Sequence, residues 1–216
     1  MPAHDVVAAR QGTLLLADIS GYTAFLQAVG AAHGEEMGRT GVIPPAYPLM
    51  ATLLDGVVER LIPPFTLSKT EGDAVFAFAG ADDLAIHGQQ VLDFIDACYG
   101  EFRGQIATAE EARTCGCSAC ALGIDLDLKF ILHAGTYVVH PIAGREELLG
   151  PDVNAVHRLL KNHAAEAVGS GAYALFTAAA VAQLRLPLGR ATPVTDTYEH
   201  LEPIQSYVFP LPIAAP

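Results

Sequence analysis

The sequence predicts a single mixed α/β (α+β) domain, in which a mostly antiparallel sheet is covered by helices on one face. The chain has 216 residues, which is the size of one domain. Hydrophobic residues make up 51% of it and charged residues 17%, so a packed core is expected and disorder is not. The predicted elements follow the order strand, helix, hairpin, helix, strand, hairpin, helix, which is typical of a layered α and β architecture.

The first elements are a buried strand and two helices. Residues 13–18 form an apolar run that ends in an acidic residue, as a buried strand does at the sheet edge. A turn at residues 20–23 leads into a helix. Residues 34–48 contain three prolines and interrupt regular structure. Apolar residues at helical spacing then predict a helix over residues 49–62.

A hairpin and a third helix follow. Residues 65–69 and 74–78 are strand-like runs around a short link that contains Gly72, which predicts a β-hairpin. Residues 82–102 have the pattern of an amphipathic helix. Residues 103–125 show little apolar periodicity and carry three cysteines, so we expect an inserted surface loop there.

The last part of the chain completes the predicted sheet. Residues 126–133 read as a central strand and residues 136–140 as its hairpin partner. Residues 151–165 begin with a proline, which favours a helix start because its missing N–H needs no partner there. Residues 172–184 are alanine-rich and predict another helix, and residues 205–208 a final strand.

Charge and hydropathy narrow the possible partners. Twelve Lys and Arg against 24 Asp and Glu give a net charge of -12, which argues against a general nucleic-acid or anionic-membrane surface. The most apolar stretch, residues 172–184, is shorter than the roughly 20 residues that a membrane span needs. No secretory signal is evident, so a cytoplasmic location is the working expectation.

Two acidic residues predict a metal site. Asp18 follows the first strand and Asp73 lies in the hairpin turn, so the fold can bring both carboxylates together. Two carboxylates plus substrate phosphates are a usual way to hold Mg²⁺ or Mn²⁺. The alternative for Asp18 is a helix cap, since Asp is favoured at that position.

Three further polar residues predict nucleotide contacts. Asn154 and Arg158 are four residues apart and share a helix face, where an amide beside a guanidinium suits phosphate or ribose recognition. An exposed polar stripe remains the alternative. Lys69 precedes the hairpin turn and is either a pocket lysine or an ordinary edge-strand lysine.

The four cysteines form a separate candidate site. Cys115, Cys117 and Cys120 have the spacing C-x-C-x-x-C, and Cys98 could complete a four-cysteine zinc site. Free or redox-active thiols, an iron–sulfur cluster and a Cys117–Cys120 disulfide remain alternatives. The eight histidines form no recognisable ligand set.

Four segments together resemble the catalytic domain of class III adenylate and guanylate cyclases. They occur in that family's order at residues 14–25 (LLLADISGYTAF), 69–77 (KTEGDAVFA), 128–135 (LKFILHAG) and 150–159 (GPDVNAVHRL). The resemblance implies a ferredoxin-like nucleotidyl cyclase fold. It also implies one cyclase-like domain over residues 1–216, with the cysteine-containing stretch as an insertion.

The resemblance also implies roles for individual residues. Asp18 and Asp73 fall on the two metal-binding aspartates, and Ile19 on a neighbouring metal-binding position. Lys69 falls on the lysine that reads adenine, and Glu147 stands near the position of the second base-reading residue.

The same comparison assigns Asn154 and Arg158 to the pair that orients the ribose and stabilises the transition state. Asp152 adds a carboxylate beside this phosphate-facing turn, where its charge would repel a triphosphate.

The implied activity is formation of a cyclic nucleotide, with cyclic AMP favoured, from a nucleoside triphosphate. Two Mg²⁺ or Mn²⁺ ions would activate the ribose 3′-hydroxyl for attack on the α-phosphate. The family builds this site between two catalytic domains, and this chain carries both residue sets, so a homodimer is implied. The alternatives are an inactive nucleotide-binding module and a metal-stapled scaffold on the same fold.

Overall fold

The computed structural model describes residues 8–213, which contain one eight-stranded sheet. The strands lie in the order β2-β3-β1-β4-β6-β8-β7, and β5 pairs with β4. The pairing of β4 with β6 is parallel and every other pairing is antiparallel, which confirms the predicted mostly antiparallel sheet. The strands are β1 (Ala9–Ser20), β2 (Thr66–Glu71), β3 (Ala74–Gly80), β4 (Asp127–Ile142), β5 (Arg145–Leu149), β6 (Tyr173–Thr177), β7 (Thr192–Asp196) and β8 (Ile204–Pro210).

Helices of very different length connect these strands. The two helices that flank the β2–β3 hairpin pack against each other. A short 3-10 turn, Leu122–Asp125, precedes β4. The helices are α1 (Tyr22–Thr40), α2 (Ala46–Leu61), α3 (Gln89–Glu111), α4 (Ser118–Ala121), α5 (Pro151–Arg158), α6 (Ala164–Val168) and α7 (Ala178–Leu184).

The sheet has an apolar core on each of its two faces. Alternate residues of a strand point to opposite faces, so Leu15 joins the larger core with α1, α2, α3 and α7. Leu14 and Leu16 join a smaller core with Val153 and Val156 of α5. The prediction that helices cover one face was therefore incomplete, because α5 and α6 cover the other. The central strands are apolar on both sides and need cover on both.

The predicted hairpin at residues 126–140 is instead one continuous strand, β4. Gly135, which lies between the two predicted strands, is inside β4. A side chain at Gly135 would collide with the Asp152 carboxylate, so the glycine makes room for Asp152 instead of reversing the chain. The hairpin partner of β4 is β5, which follows Gly144 at a φ of 80°.

Two other predicted helices are divided in the structure. The helix predicted over residues 151–165 ends at Arg158, and α6 begins at Ala164. In the stretch predicted as helix over residues 172–184, Tyr173–Thr177 is the strand β6 and only Ala178–Leu184 is helical. Every residue of β6 is buried, because β4 and β8 flank it, and this burial outweighs the helix propensity of alanine.

The predicted surface loop at residues 103–125 is wrong in its first part. Helix α3 continues to Glu111, because Phe102 and Ile106 are one turn apart and both buried against the core. The irregular segment is confined to residues 112–117, before α4. Within residues 8–213, no helix combines the length and apolar character needed to cross a bilayer.

Candidate functional site

Asp18 lies at the end of β1 and is paired with a lysine of the neighbouring strand. Asp18 and Lys129 are direct partners in the β1–β4 ladder. The Lys129 Nζ lies 2.9 Å from Asp18 Oδ2, and the two side chains are 19% and 14% exposed, respectively. Strand alternation places both on the face that carries α5, with Leu16 and Ile131. Lys129 lies inside the segment LKFILHAG, but its role was not recognised from the sequence.

Asp73 lies beside Asp18, as the sequence predicts. The Ile19 N–H donates to the Asp73 carbonyl oxygen at 3.0 Å and fixes the β2–β3 turn against β1. Burial raises the pKa of the Asp73 carboxyl, and the charge of Asp18 raises it further; a backbone hydrogen bond and Lys129 act in the opposite direction. Ile19 is 1% exposed, with its side chain in the core, so only its backbone carbonyl oxygen could serve as a ligand of a cation.

This group of charges suits a divalent cation. Two partly buried carboxylates lie beside one ammonium here, and the charge of Asp18 adds to the effect of burial in raising the Asp73 pKa. Carboxylate oxygens are the donors that Mg²⁺ and Mn²⁺ prefer. The residues therefore fit the predicted ion type.

Lys69 and Glu147, both predicted to read the base, are in direct contact. The Lys69 Nζ lies 3.0 Å from Glu147 Oε2 and 3.0 Å from Glu71 Oε1. Its hydrogen bonds to Glu147 and then to Glu71 raise the pKa of the Lys69 ammonium, against the effect of burial. The contact joins the edge strand β2 to β5, whose short hairpin with β4 was not predicted.

A histidine of α5 continues this group of charges. His157 Nδ1 lies 3.6 Å from Glu71 Oε2, and its ring packs on Phe76 with the ring centroids 4.9 Å apart. Burial lowers the pKa of His157, and Lys69 adds to this effect while Glu71 opposes it. These contacts could not be predicted from the sequence, since they depend on α5 packing against the sheet.

Asn154 and Arg158 lie on the exposed side of α5, one turn apart. Gly150 precedes the helix with a φ of 148°, close to the Thr136 carbonyl, where a side chain would be strained. A groove of about 630 Å³ lies beside the helix. Its lining residues are Pro151, Asn154, His157, Arg158, Lys161, Glu199, His200 and Leu201. Neither aspartate of the proposed cation site is among them.

The Asp152 carboxylate is turned away from this groove. It accepts from the Thr136 backbone N–H at 2.6 Å, and its other oxygen lies 3.2 Å from His133 Nε2. His133 Nδ1 lies 3.0 Å from the Thr177 hydroxyl. The expected repulsion of a triphosphate by Asp152 is therefore not supported, because this carboxylate instead ties α5 to β4.

Three of the four cysteines meet at a histidine of α1. The ligand atoms of His33, Cys115, Cys117 and Cys120 all lie within 4.8 Å of one another, which is a spacing that can hold a metal ion. Cys98 does not belong to this cluster, contrary to the prediction. Cys98 belongs to α3 and is 1% exposed in the larger core, and burial raises the pKa of its thiol to about 12. His33 was missed because it lies 84 residues from Cys117.

The surroundings of the cluster favour a thiolate at Cys117. The Cys120 N–H donates to Cys117 Sγ at 3.3 Å, and this bond, followed by His33, lowers the pKa of Cys117 to about 6. Burial and the neighbouring sulfurs raise the pKa of Cys120 to about 12. The Arg113 guanidinium donates to the Cys115 carbonyl oxygen and pairs with Glu110 at 2.8 Å.

An apolar cavity lies next to this cluster. It has a volume of about 690 Å³ between α2 and the C-terminal half of α3. Its wall is mainly apolar, with Phe25, Leu49 and Ile106 among its residues, and Cys120 forms part of the wall. No predicted nucleotide-binding residue lines it.

Comparison with known protein families places the chain in one of them. The family model described as "Protein of unknown function (DUF2652)" matches residues 50–167, more than half of the chain. The chain belongs to this family. The matched residues of this chain contain the turn with Asp73, the helix with Arg158 and the cysteine segment. A relative from Mycobacterium tuberculosis, "Uncharacterized protein Rv2561/Rv2562", is 32% identical over 152 residues, which is 69% of this chain and 68% of the relative.

Solved structures with the same fold are nucleotide cyclase domains. The adenylyl cyclase CyaB from P. aeruginosa is 14% identical, with a TM-score of 0.60 over 94% of each chain. The catalytic core of a rhodopsin-guanylyl cyclase with converted specificity, in complex with ATPalphaS, is 16% identical, with a TM-score of 0.56 over 94% of this chain and 97% of that one. At these identities the similarity establishes the fold, and the predicted nucleotidyl cyclase-like fold is confirmed.

Proposed function

We propose that this protein is a nucleotidyl cyclase, which forms a cyclic nucleotide, with cyclic AMP favoured, from a nucleoside triphosphate. The observation that carries the proposal is the convergence of Asp18 and Asp73 from separate elements onto one edge of the sheet. On a fold shared with adenylyl and guanylyl cyclases, such a pair fits a divalent cation and the phosphates that the cation would hold.

A homodimer completes the site in this proposal. Asp18 and Asp73 do not line the groove beside Asn154 and Arg158, so one subunit presents two half-sites. A two-fold dimer repeats both half-sites, which lets the carboxylates of one subunit face the groove of its partner. Each dimer then has two equivalent sites.

The acidic half-site binds the triphosphate end of the substrate. Asp18 and Asp73, with the Ile19 carbonyl, would hold Mg²⁺ or Mn²⁺, and these ions would supply charge neutralisation and a lower pKa for the 3′-hydroxyl. Lys129 is within reach of the same place. Once a cation balances Asp18, the Lys129 ammonium is free to contact a phosphate oxygen.

The groove half-site acts on the reacting phosphorus and the ribose. The 3′-oxygen attacks the α-phosphorus, and pyrophosphate leaves with the electrons of the broken P–O bond. The Arg158 guanidinium stabilises the negative charge that builds on the phosphorus oxygens, and the Asn154 amide orients the ribose. Both side chains are exposed and one helical turn apart, which suits a ligand that arrives from outside the subunit.

Lys69 and Glu147 select the base. Their charged ends are in contact at 3.0 Å, so a base edge with an acceptor beside a donor can replace this contact and bind both side chains. Adenine offers this pair, because its N1 accepts from the ammonium and its 6-amino group donates to the carboxylate. Glu71 remains beside Lys69 and holds the ammonium in place.

A product assay tests the proposal. Purified protein with Mn²⁺ and each of ATP, GTP, CTP and UTP should release pyrophosphate and a cyclic nucleotide, with ATP preferred. Asp73→Ala should abolish both products, whereas Asp82→Ala, at an exposed position after β3, should not. Absence of product with all four nucleotides would overturn the catalytic proposal.

A second candidate function is nucleotide binding without turnover. The observation in its favour is the Lys129 ammonium, which already satisfies Asp18 at 2.9 Å. If that ion pair persists with substrate, the nucleotide binds but no activated 3′-oxygen forms. Calorimetric binding of ATP without pyrophosphate release would select this function.

A further inference from the structure

We propose that His33, Cys115, Cys117 and Cys120 bind one Zn²⁺ ion in a tetrahedral structural site. The site is independent of the proposed nucleotide chemistry. It differs from the four-cysteine site expected from the sequence, since a histidine of α1 replaces Cys98.

The distances match a tetrahedral ion. With Zn–S bonds of about 2.3 Å and Zn–N bonds of about 2.0 Å, the edges of the ligand tetrahedron are about 3.6 Å from N to S and about 3.8 Å from S to S. His33 Nε2 lies 3.1 Å from the sulfur of Cys117, 3.5 Å from that of Cys120 and 3.8 Å from that of Cys115. These three distances lie around the expected edge.

The backbone around the sulfurs is arranged for thiolate ligands. Cys117 is the N-cap residue of the short helix α4, and its Sγ accepts a hydrogen bond from the Cys120 N–H. Such a bond stabilises negative charge on sulfur and fixes its direction. The Arg113 guanidinium donates a hydrogen bond to the Cys115 carbonyl oxygen and so fixes the backbone of Cys115.

The charge balance is also suitable. Three thiolates, a neutral imidazole and Zn²⁺ carry a net charge of about -1. Arg113 interacts electrostatically with the sulfurs of Cys115 and Cys120, so a guanidinium lies where it offsets this charge. Glu110 orients Arg113 through two contacts of 2.8 Å.

The position of His33 gives the site a structural purpose. In α1 only Phe25 and Val29 are buried, and the helix has no buried residue from Gly30 to Thr40. Residues 112–117 likewise lack regular structure. A metal ion between His33 and the three cysteines joins the weakly packed half of α1 to this loop.

Zinc fits this ligand set better than the other uses of the cysteines. An iron–sulfur cluster is usually held by four thiolates, and the fourth cysteine, Cys98, is in the core. A disulfide would use two sulfurs and leave the third beside an imidazole with no ligand role. Zn²⁺ takes thiolate and imidazole ligands together and completes a closed four-coordinate site.

Metal content is the first test. Protein produced with zinc in the medium and purified without chelator should contain about one zinc per chain by plasma mass spectrometry. His33→Ala and Cys115→Ser should each reduce this at least about tenfold. Cys98→Ser is the matched control and should retain the full content. Wild-type protein that takes up no stoichiometric Zn²⁺, or a Cys98→Ser variant that loses it equally, would overturn the proposal.

Cobalt spectroscopy covers the case in which the alanine or serine variants fail to fold. Co²⁺ in place of Zn²⁺ should give the intense visible bands of a tetrahedral site with sulfur ligands. His33→Cys should keep one Co²⁺ per chain and shift these bands, because nitrogen is replaced by sulfur. Unchanged bands in His33→Cys, iron with acid-labile sulfide, or a Cys117–Cys120 disulfide in the protein as purified would each contradict the site.

Discussion

At the scale of single residues, four of the side chains proposed for the site are already paired with one another. Lys129 pairs with Asp18, and Lys69 pairs with Glu147. These partly buried charges would be costly to leave unpaired, so the free protein satisfies them internally. In the proposed function, substrate replaces these contacts, so the affinity for substrate depends on the strength of each ion pair.

Substitution of Lys129 should separate its structural and catalytic roles. Lys129→Met should lower kcat/KM for ATP with Mn²⁺ by about 10- to 100-fold, because one phosphate-facing charge is lost. Lys129→Arg retains the charge and should keep most of the activity. Steady-state kinetics measure both variants, and equal activity of Lys129→Met and wild type would remove Lys129 from the site.

Substitution of Lys69 and Glu147 should act on substrate binding. Lys69→Gln and Glu147→Gln should each raise KM for ATP by about 10-fold with a smaller change in kcat, because both contact the non-reacting base. Since the two residues are in contact, the double variant should show less than the sum of the two effects in free energy. Additive effects, or a loss confined to kcat, would contradict base recognition by this pair.

At the scale of elements, α6 is attached to the sheet edge by a histidine–aspartate pair. Asp196 of β7 is 2% exposed, and its Oδ1 accepts from the His163 backbone N–H at 3.2 Å and lies 2.6 Å from His163 Nδ1. This contact raises the pKa of His163 above its usual 6.5, with a smaller contribution from Glu166. Among the residues that the structure describes, none forms a hydrogen bond with the other oxygen of Asp196.

The pair makes stability depend on pH. Because the folded-state pKa of His163 is raised, its contribution is fully present below about pH 6.5 and is lost as pH rises through the folded pKa. In urea unfolding from about pH 6 to about pH 8.5, His163→Gln should therefore flatten the decline in the free energy of unfolding. His200→Gln, at a histidine whose side chain is 85% exposed, is the matched control for the loss of an imidazole. Superimposable wild-type and His163→Gln profiles would exclude the effect.

At the scale of the whole molecule, the two proposed sites lie on opposite faces of the sheet. The face with α1, α2 and α3 holds the larger core, and the cysteine cluster lies at its outer edge. The opposite face carries α5, Asp18 and Lys129 beside the smaller core. Only part of this second face is covered by the short helices α5 and α6, so it is the surface on which a second subunit can complete the proposed sites.

Mixing of inactive variants tests whether the sites are shared between subunits. Asp73→Ala removes the acidic half-site and Arg158→Ala the groove half-site, so each homodimer should be inactive. An equal mixture that has exchanged subunits should recover about a quarter of wild-type activity, since half the dimers are mixed and each has one intact site. A mixture of Asp18→Ala and Asp73→Ala is the control and should stay inactive. Failure of the first mixture, with mixed dimers shown by mass spectrometry, would place the whole site within one subunit.

Elements that depend on neighbouring residues could be predicted from the sequence, whereas elements that depend on distant packing could not. The hairpin that carries Asp73 follows from a glycine turn between two apolar runs, and the structure has it. The strand β6 and the continuous β4 were missed, because burial between neighbouring strands outweighs the propensity of Tyr173–Thr177 and because Gly135 serves the packing of Asp152. Neither reason is visible in local periodicity.

By itself, the sequence determined the cyclase-like fold and the candidates Asp18, Asp73, Lys69, Asn154 and Arg158, since each lies in a short segment whose pattern is local. Only the tertiary structure decided which distant groups meet. It brought His33 to cysteines more than 80 residues away, excluded Cys98, and paired Lys129 with Asp18 across two strands. The physical reason is that strand register and helix packing set these contacts, through burial of the two cores, while side-chain spacing along the chain carries no record of them.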